Sequence, residues 1–244
     1  MLSLYRGVAS IMPSMKIKMY DLVGAENNRA FSPYCWRIRM ALAHKQLEVE
    51  TIPWHFTEKE AIAFSGQEKV PVIVDGDQVV FDSWNIANYL EKTYPNQPSL
   101  FGCSQAKSQV LFIKNWDEKV LIPALLPMLI YNVFEHIDAK DKTYFRETRE
   151  QKLGKTLEEF KDVKQSQIDN FRTILSPLRE TLNQQPFLAG EKPKFADYII
   201  FARFQFARSI SPIKFLETND PVNMWREKML DLFNGLARQN LGYN

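Results

Sequence analysis

The chain has 244 residues, 45% hydrophobic and 25% charged, which is enough apolar material for a core and too little charge for a disordered chain. Its 31 basic and 29 acidic residues are spread along the sequence, so the net charge of +2 forms no cationic stripe for nucleic acid. Two cysteines (Cys35, Cys103) and three histidines (His44, His55, His136) without ligand spacing exclude a disulfide framework and a zinc site, and no run reaches the ~18 apolar residues of a membrane span. The expectation is a cytoplasmic protein in a reducing compartment, without metal, membrane or nucleic-acid partners. Residues 1–15 read as an N-terminal extension, because they lack the continuous apolar stretch and cleavage pattern of a signal peptide.

Regular patterning begins at Lys16. Ile17 to Leu22 alternates apolar and polar residues as a strand does. Ser32 and Pro33 then open a helix on which Trp36, Met40, Ala43 and Leu47 recur at helical spacing. Val49 to Pro53 reads as a second strand, and Thr57 to Phe64 as a short helix capped by Thr57. Val72-Ile73-Val74, Asp75-Gly76-Asp77 and Val79-Val80-Phe81 spell a hairpin with Asp-Gly at the turn. Ser83 is placed to cap a helix carrying Trp84, Ile86, Ala87 and Leu90, which stops before Pro95. The order βαβαββα is that of a thioredoxin-like domain, here 16–97, followed by a linker at 98–106 that the prolines at 95 and 98 announce.

Strand signals then vanish. Gln105 to His136 reads as one long helical stretch kinked at Pro123 and Pro127. Tyr144 to Phe160, Gln165 to Asn183, Phe195 to Arg208 and Val222 to Leu236 are each amphipathic. Residues 107–244 are therefore expected to form an all-helical second domain.

Three places in the first domain suggest chemistry. Ser32-Pro33-Tyr34-Cys35-Trp36-Arg37 stands between the first strand and first helix, where redox members of this fold carry two cysteines. With Ser32 in the first cysteine's place, Cys35 cannot start dithiol exchange. A hydroxyl there, at a helix N-terminus, can instead hold a ligand's thiolate. Seen alone, Ser32-Pro33 favours a plain N-cap. Lys69-Val70-Pro71-Val72 puts a proline at a strand entrance. A cis Val70–Pro71 bond there would offer the Val70 backbone to a peptide, whereas a trans bond would be an ordinary strand entry. Asp82-Ser83 opens a helix, and its N–H groups and hydroxyl suit a carboxylate while Asp82 suits an ammonium group; alone, this too is an ordinary cap. Together the three describe sites for a thiol, a peptide backbone and an amino-acid head group, in the order that a thioredoxin-like domain requires.

These runs, with Phe81-Asp82-Ser83-Trp84-Asn85-Ile86, Leu188-Ala189-Gly190-Glu191 and the Trp225 to Leu236 segment, resemble the serine-type glutathione transferases. More narrowly they are similar to the bacterial β-etherase and fungal etherase-like branch. The resemblance covers about Lys16 to Arg238. It implies glutathione as co-substrate and usually a homodimer; the leading functional reading adds a small hydrophobic, aromatic electrophile as the second substrate, whose identity the resemblance does not fix. It implies Ser32 as the catalytic hydroxyl, and Val70, Pro71, Asp82 and Ser83 as glutathione ligands. Lys69 and His55 could each reach the glycine carboxylate. Tyr34, Trp116, Pro123 and Tyr131 are candidates for the acceptor wall, although an apolar stripe at helical spacing is usually core. A non-catalytic ligand-binding protein of the same fold, or a thiol oxidoreductase using Cys35, are the alternatives. One departure stands out: Lys194 replaces the Ser or Thr that usually caps the helix carrying Asp197, which should deprive Asp197 of its hydroxyl partner.

Overall fold

The alternation of Ile17 and Met19 with Lys18 and Tyr20 buries one face of the first strand, β1 (Ile17–Leu22), at the heart of a four-stranded sheet. The computed structural model describes residues 16–243, so the extension expected over 1–15 lies outside the described residues. Helix α1 (Pro33–His44) carries the chain across to β2 (Val49–Trp54), which pairs parallel to β1 with Ile17 opposite Val49. Pro53 is tolerated because β2 is an edge strand. β3 (Val72–Asp75) runs antiparallel to β1, and β4 (Gln78–Phe81) closes the sheet in the order β2-β1-β3-β4. Asp75 pairs with Gln78, so the two turn residues are Gly76 and Asp77, and Gly76 takes the positive φ of 57° that this tight turn demands. Helix α2 (Ser83–Thr93) completes the thioredoxin-like layer.

The second domain is helical: α3 (Ser104–Trp116), α4 (Ile122–Leu125), α5 (Ile130–His136), α6 (Lys142–Leu153), α7 (Gln165–Ile174), α8 (Ser176–Gln184), α9 (Phe195–Ile210) and α10 (Pro221–Gly235). Helix α9 is buried over almost its whole length and packs against α1, so one apolar core runs through both domains.

Several expectations are corrected. The segment after β2 is a 3-10 helix at Lys59–Ser65, and Thr57 does not cap it. Thr57 instead donates through Oγ1 at 2.6 Å and through its backbone N–H at 3.0 Å to the buried Asp141 of the second domain. Ser83 is not the cap of α2 either; Asp82 is, with its Oδ1 accepting from Trp84 N and Asn85 N, each at 3.0 Å. The stretch 105–136 divides around a π-helical turn at Asp117–Leu121 and a 3-10 turn at Leu126–Met128. Pro123 has no N–H to continue the ladder, and the wider turn lets the Ile122 N–H reach back to the Asp117 carbonyl. The helix expected to reach 160 stops at Gly154, with φ of 66°. That expected over 165–183 breaks at Leu175, because Pro177 has no N–H to carry the ladder on; Ser176 Oγ donates to Thr173 O at 2.8 Å. The expectation at Lys194 holds: among the described residues no hydroxyl serves Asp197, and N–H donors satisfy it instead. Asp197 accepts N–H bonds from Leu188 at 2.7 Å, Ala189 at 3.2 Å, Lys194 at 3.1 Å and Trp225 Nε1 at 3.0 Å.

Candidate functional site

Three separated segments meet where the N-terminus of α1, the entrance to β3 and the start of α2 converge. A cleft with about 390 Å³ of open volume is lined there by Tyr34, by Lys69, Val70 and Pro71, and by Asp82 and Ser83. Gln67 and Phe81 of the first domain and Lys114 and Glu118 of the second complete its wall.

Ser32 is the N-cap of α1. Its Oγ accepts from Cys35 N at 3.2 Å and only 5% of the residue is exposed. The contact uses one oxygen lone pair and leaves the hydroxyl proton free to donate. Tyr34, two residues further on, faces the cleft; Ser32 itself is not among the lining residues. Cys35 is fully buried, and burial together with the charge of Asp21 pushes its thiol well up, away from the thiolate form that exchange chemistry needs.

At the β3 entrance the Val70–Pro71 bond is cis. At the start of α2, Asp82 takes a positive φ of 67° and turns Oδ1 onto the helix N–H groups, while Oδ2 stays free to accept. Ser83 is buried, and its Oγ accepts from Arg37 Nη1 at 3.3 Å. With that lone pair occupied, the Ser83 O–H remains available as a donor beside its own backbone N–H, while Asp82 takes the N–H groups of Trp84 and Asn85.

Arg37 belongs to a buried charge cluster that sequence reading missed. Arg37 Nη2 donates to Asp117 Oδ2 at 2.5 Å, and Arg203 donates through Nε at 2.7 Å to Oδ1 and through Nη2 at 2.5 Å to Oδ2. All three side chains are 1% exposed or less. The Tyr34 ring meets both guanidinium groups, with the Arg37 carbon 4.7 Å and the Arg203 carbon 4.9 Å from its centroid. Burial and the repulsion of Arg203 draw the Arg37 pKa down. Burial also works against Arg203, but its direct bonds to Asp117 prevail and raise it. The cluster carries two cations against one buried anion, with Glu118 Oε1 a further 3.6 Å from Arg37 Nη1. One signal was available: Arg203 is a lone cation in the apolar run from Ile199 to Phe206.

Other expected residues stand apart. His55 is 8% exposed, its backbone N–H bonds Glu58, and it does not line the cleft. Trp116 is half-buried against the core, and Pro123 is exposed. Tyr131 lies beside Phe134 and beneath Lys161. Of the four proposed acceptor-wall residues, Tyr34 alone lines this cleft. Among the described residues no helix is long and apolar enough to cross a membrane.

Residues 31–93 match the model of the glutathione S-transferase N-terminal domain, and 108–230 match that of the glutathione S-transferase C-terminal domain. The glutathione S-transferase-like protein ustS of Aspergillus flavus is 28% identical over 173 residues, covering 65% of this chain and 57% of its own. The chain thus spans little more than half the length of that relative. Among solved structures, a glutathione S-transferase of Ceriporiopsis subvermispora in complex with glutathione superposes with a TM-score of 0.79 at 23% identity, over 89% of this chain and 96% of that one. Glutathione transferase GSTFuA3 of Phanerochaete chrysosporium gives 0.73 at 26% identity, over 90% and 92%.

Proposed function

The chain belongs to the glutathione S-transferase family, and from that membership we propose that it binds glutathione in this cleft and activates the thiol for attack on a small aromatic electrophile. The observation that carries the reading is the convergence of Val70, Pro71, Asp82 and Ser83 on one cleft beside the N-terminus of α1. The relative from Ceriporiopsis subvermispora, crystallised with glutathione, supports glutathione as the ligand.

In this reading the Ser83 hydroxyl and the α2 N-terminus take the γ-glutamyl carboxylate, and the free oxygen of Asp82 takes its ammonium. The Val70 backbone pairs with the cysteinyl unit as an added strand would. Lys69 closes on the glycine carboxylate; His55 is a weaker candidate because it lies outside the cleft lining. The thiol reaches the start of α1. A free thiol ionises near pH ~8.5, and the partial positive charge of the helix terminus with the Ser32 O–H lowers that value. The thiolate then attacks an electrophilic carbon: a C–S bond forms, and the leaving group departs with its electron pair. An aryl ether would leave as an aryloxide, the chemistry of the serine-type etherase-like branch. Tyr34 and Phe81 supply aromatic surface on the glutathione side of the acceptor; Trp116, Pro123 and Tyr131 would contribute only from beyond this cleft. Exposed Leu111 and Phe112 on α3 are apolar surface suited to homodimerisation, and in this reading the protein acts in the cytoplasm.

The test uses the full chain. Calorimetry with glutathione should show saturable binding, and steady-state assays with an aryl halide, an isothiocyanate and a β-aryl ether should show turnover. Binding with no thiolate absorbance and no turnover would favour a ligand-binding protein of the same fold.

A further inference from the structure

We infer that Asn240, from the chain's C-terminal tail, is a positioning residue that holds the segment carrying Ser32 at the angle its hydroxyl needs; the inference rests on the function proposed above. Asn240 lies 210 residues from Ala30, yet its amide pairs with both backbone groups of that residue. Ala30 N donates to Asn240 Oδ1 at 3.0 Å, and Asn240 Nδ2 donates to Ala30 O at 3.1 Å. The side chain thereby acts as a neighbouring strand would.

The Ala30 carbonyl is a meeting point. Trp36 Nε1 of α1 donates to it at 2.9 Å beside Asn240, and Ser209 Oγ of α9 lies 3.1 Å away, with Gln205 O at 2.8 Å competing for its one proton. Three elements distant in sequence thus converge on one oxygen, two residues before Ser32. On its other side the segment is tied to β1 by Phe31 N donating to Leu22 O at 3.3 Å. Without the tail, only that side and the two helices would define where Ser32 begins α1.

The tail is itself held firmly. Leu241 N donates to Asn28 O at 3.0 Å, and Tyr243 N to Arg208 O at 2.7 Å. The Tyr243 hydroxyl lies 2.9 Å from His136 Nε2. At Gly242 a Cβ would lie 2.7 Å from the Arg208 carbonyl, so only glycine lets the tail approach α9 so closely. Arg208 in turn donates to Asn240 O at 3.1 Å. Asn240 and Ala30 are 9% and 1% exposed, so water cannot easily replace the pairing.

A displaced donor loses its effect on a thiolate steeply, and a misplacement of ~1 Å can cost ~10²-fold in rate. The test is full-length Asn240→Ala, with the absorbance of glutathione thiolate followed against pH and steady-state kinetics measured with an aryl halide. The bound thiol pKa should rise by about one unit and kcat at about pH 6.5 should fall about tenfold, recovering as pH rises. The glutathione KM should stay within about twofold, because the head-group contacts at Ser83 are untouched. Ser209→Ala removes the hydroxyl that accepts from Asn240 Nδ2 at 3.0 Å and lies against the same carbonyl, and it should shift the profile the same way by less; it carries the test if Asn240→Ala does not fold. A lower Tm with thiol titrations coincident with wild type in the folded variants would overturn the inference. Ser32→Ala separates the two levels. If it raises the thiol pKa while the Asn240 and Ser209 variants do not, the tail's role falls alone; if it too changes nothing, the proposed function falls with it.

Discussion

Arg37 and Asp117 join the two domains through a buried ion pair, Nη2 to Oδ2 at 2.5 Å, and the same carboxylate also holds Arg203. Arg37 stands on α1 and Asp117 on the π-helical turn after α3, so the pair fixes the second domain against the helix that Ser32 caps. Arg37 also reaches Ser83. One cation therefore links the domain interface to the proposed head-group site.

Removing the anion would leave two guanidinium groups buried together. Asp117→Ala is expected to destabilise the fold by about 3–5 kcal/mol, the cost of breaking a buried pair from one side. Urea unfolding monitored by tryptophan fluorescence checks this, and a loss below about 1 kcal/mol would mean that the two arginines find water or other partners.

Ser83→Ala should weaken glutathione binding more than turnover. A hydrogen bond to a charged group contributes about 1.5–3 kcal/mol, so the glutathione KM should rise about tenfold or more, while kcat at saturation changes little because the contact is alike in ground and transition states. An unchanged KM would show that the γ-glutamyl carboxylate sits elsewhere.

His44 gives a pH dependence of stability. Its Nε2 lies 3.1 Å from Ser99 O, so it must donate there, and its Nδ1 lies 2.6 Å from the Tyr198 hydroxyl, which donates in return. That arrangement suits the neutral ring. Burial and then the nearby Lys194 hold its pKa below the usual histidine value. The unfolded chain therefore binds the proton at a higher pH than the folded one, and stability from this group is lost as pH falls below the unfolded value of about 6.5. His44→Gln should flatten that acid loss. Equal slopes of unfolding free energy against pH in wild type and variant, between about pH 7.5 and 5, would contradict it.

Ser32→Ala is expected to do two separable things. The Cys35 N–H loses its cap, which costs about 1 kcal/mol of stability. The bound glutathione thiol loses one charge-assisted donor worth about 1.5–3 kcal/mol, which raises its pKa by about one to two units. Binding should survive and turnover should recover in part at high pH. Stability loss with coincident thiol titrations would reduce Ser32 to a helix cap.

The strands were readable because each is decided by neighbours. The alternation from Ile17 to Leu22 and the Asp75-Gly76-Asp77 turn leave few other ways to bury Met19, Val72 and Ile73. The segments at Ser32, Val70 and Asp82-Ser83 were readable for the same reason, since each is a short run at an element boundary. Helix limits were less so: the proline positions announced a break in 105–136, but not that a π-helical turn would absorb it. The division of labour between Asp82 and Ser83 also needed the backbone, because a positive φ at Asp82 turns its carboxylate onto the helix terminus.

By itself the sequence determined the order of elements, the thioredoxin-like and helical halves, and the three segments proposed to receive glutathione. Only the tertiary structure decided which distant groups stand beside them. Arg37 finds Asp117 across 80 residues, Thr57 finds Asp141 across 84, and Ala30 finds Asn240 across 210. Local propensity selects helix or strand from interactions within a few residues. A buried charge or carbonyl must instead be satisfied by whatever segment the packed core brings within about 3 Å, and no local pattern contains that information.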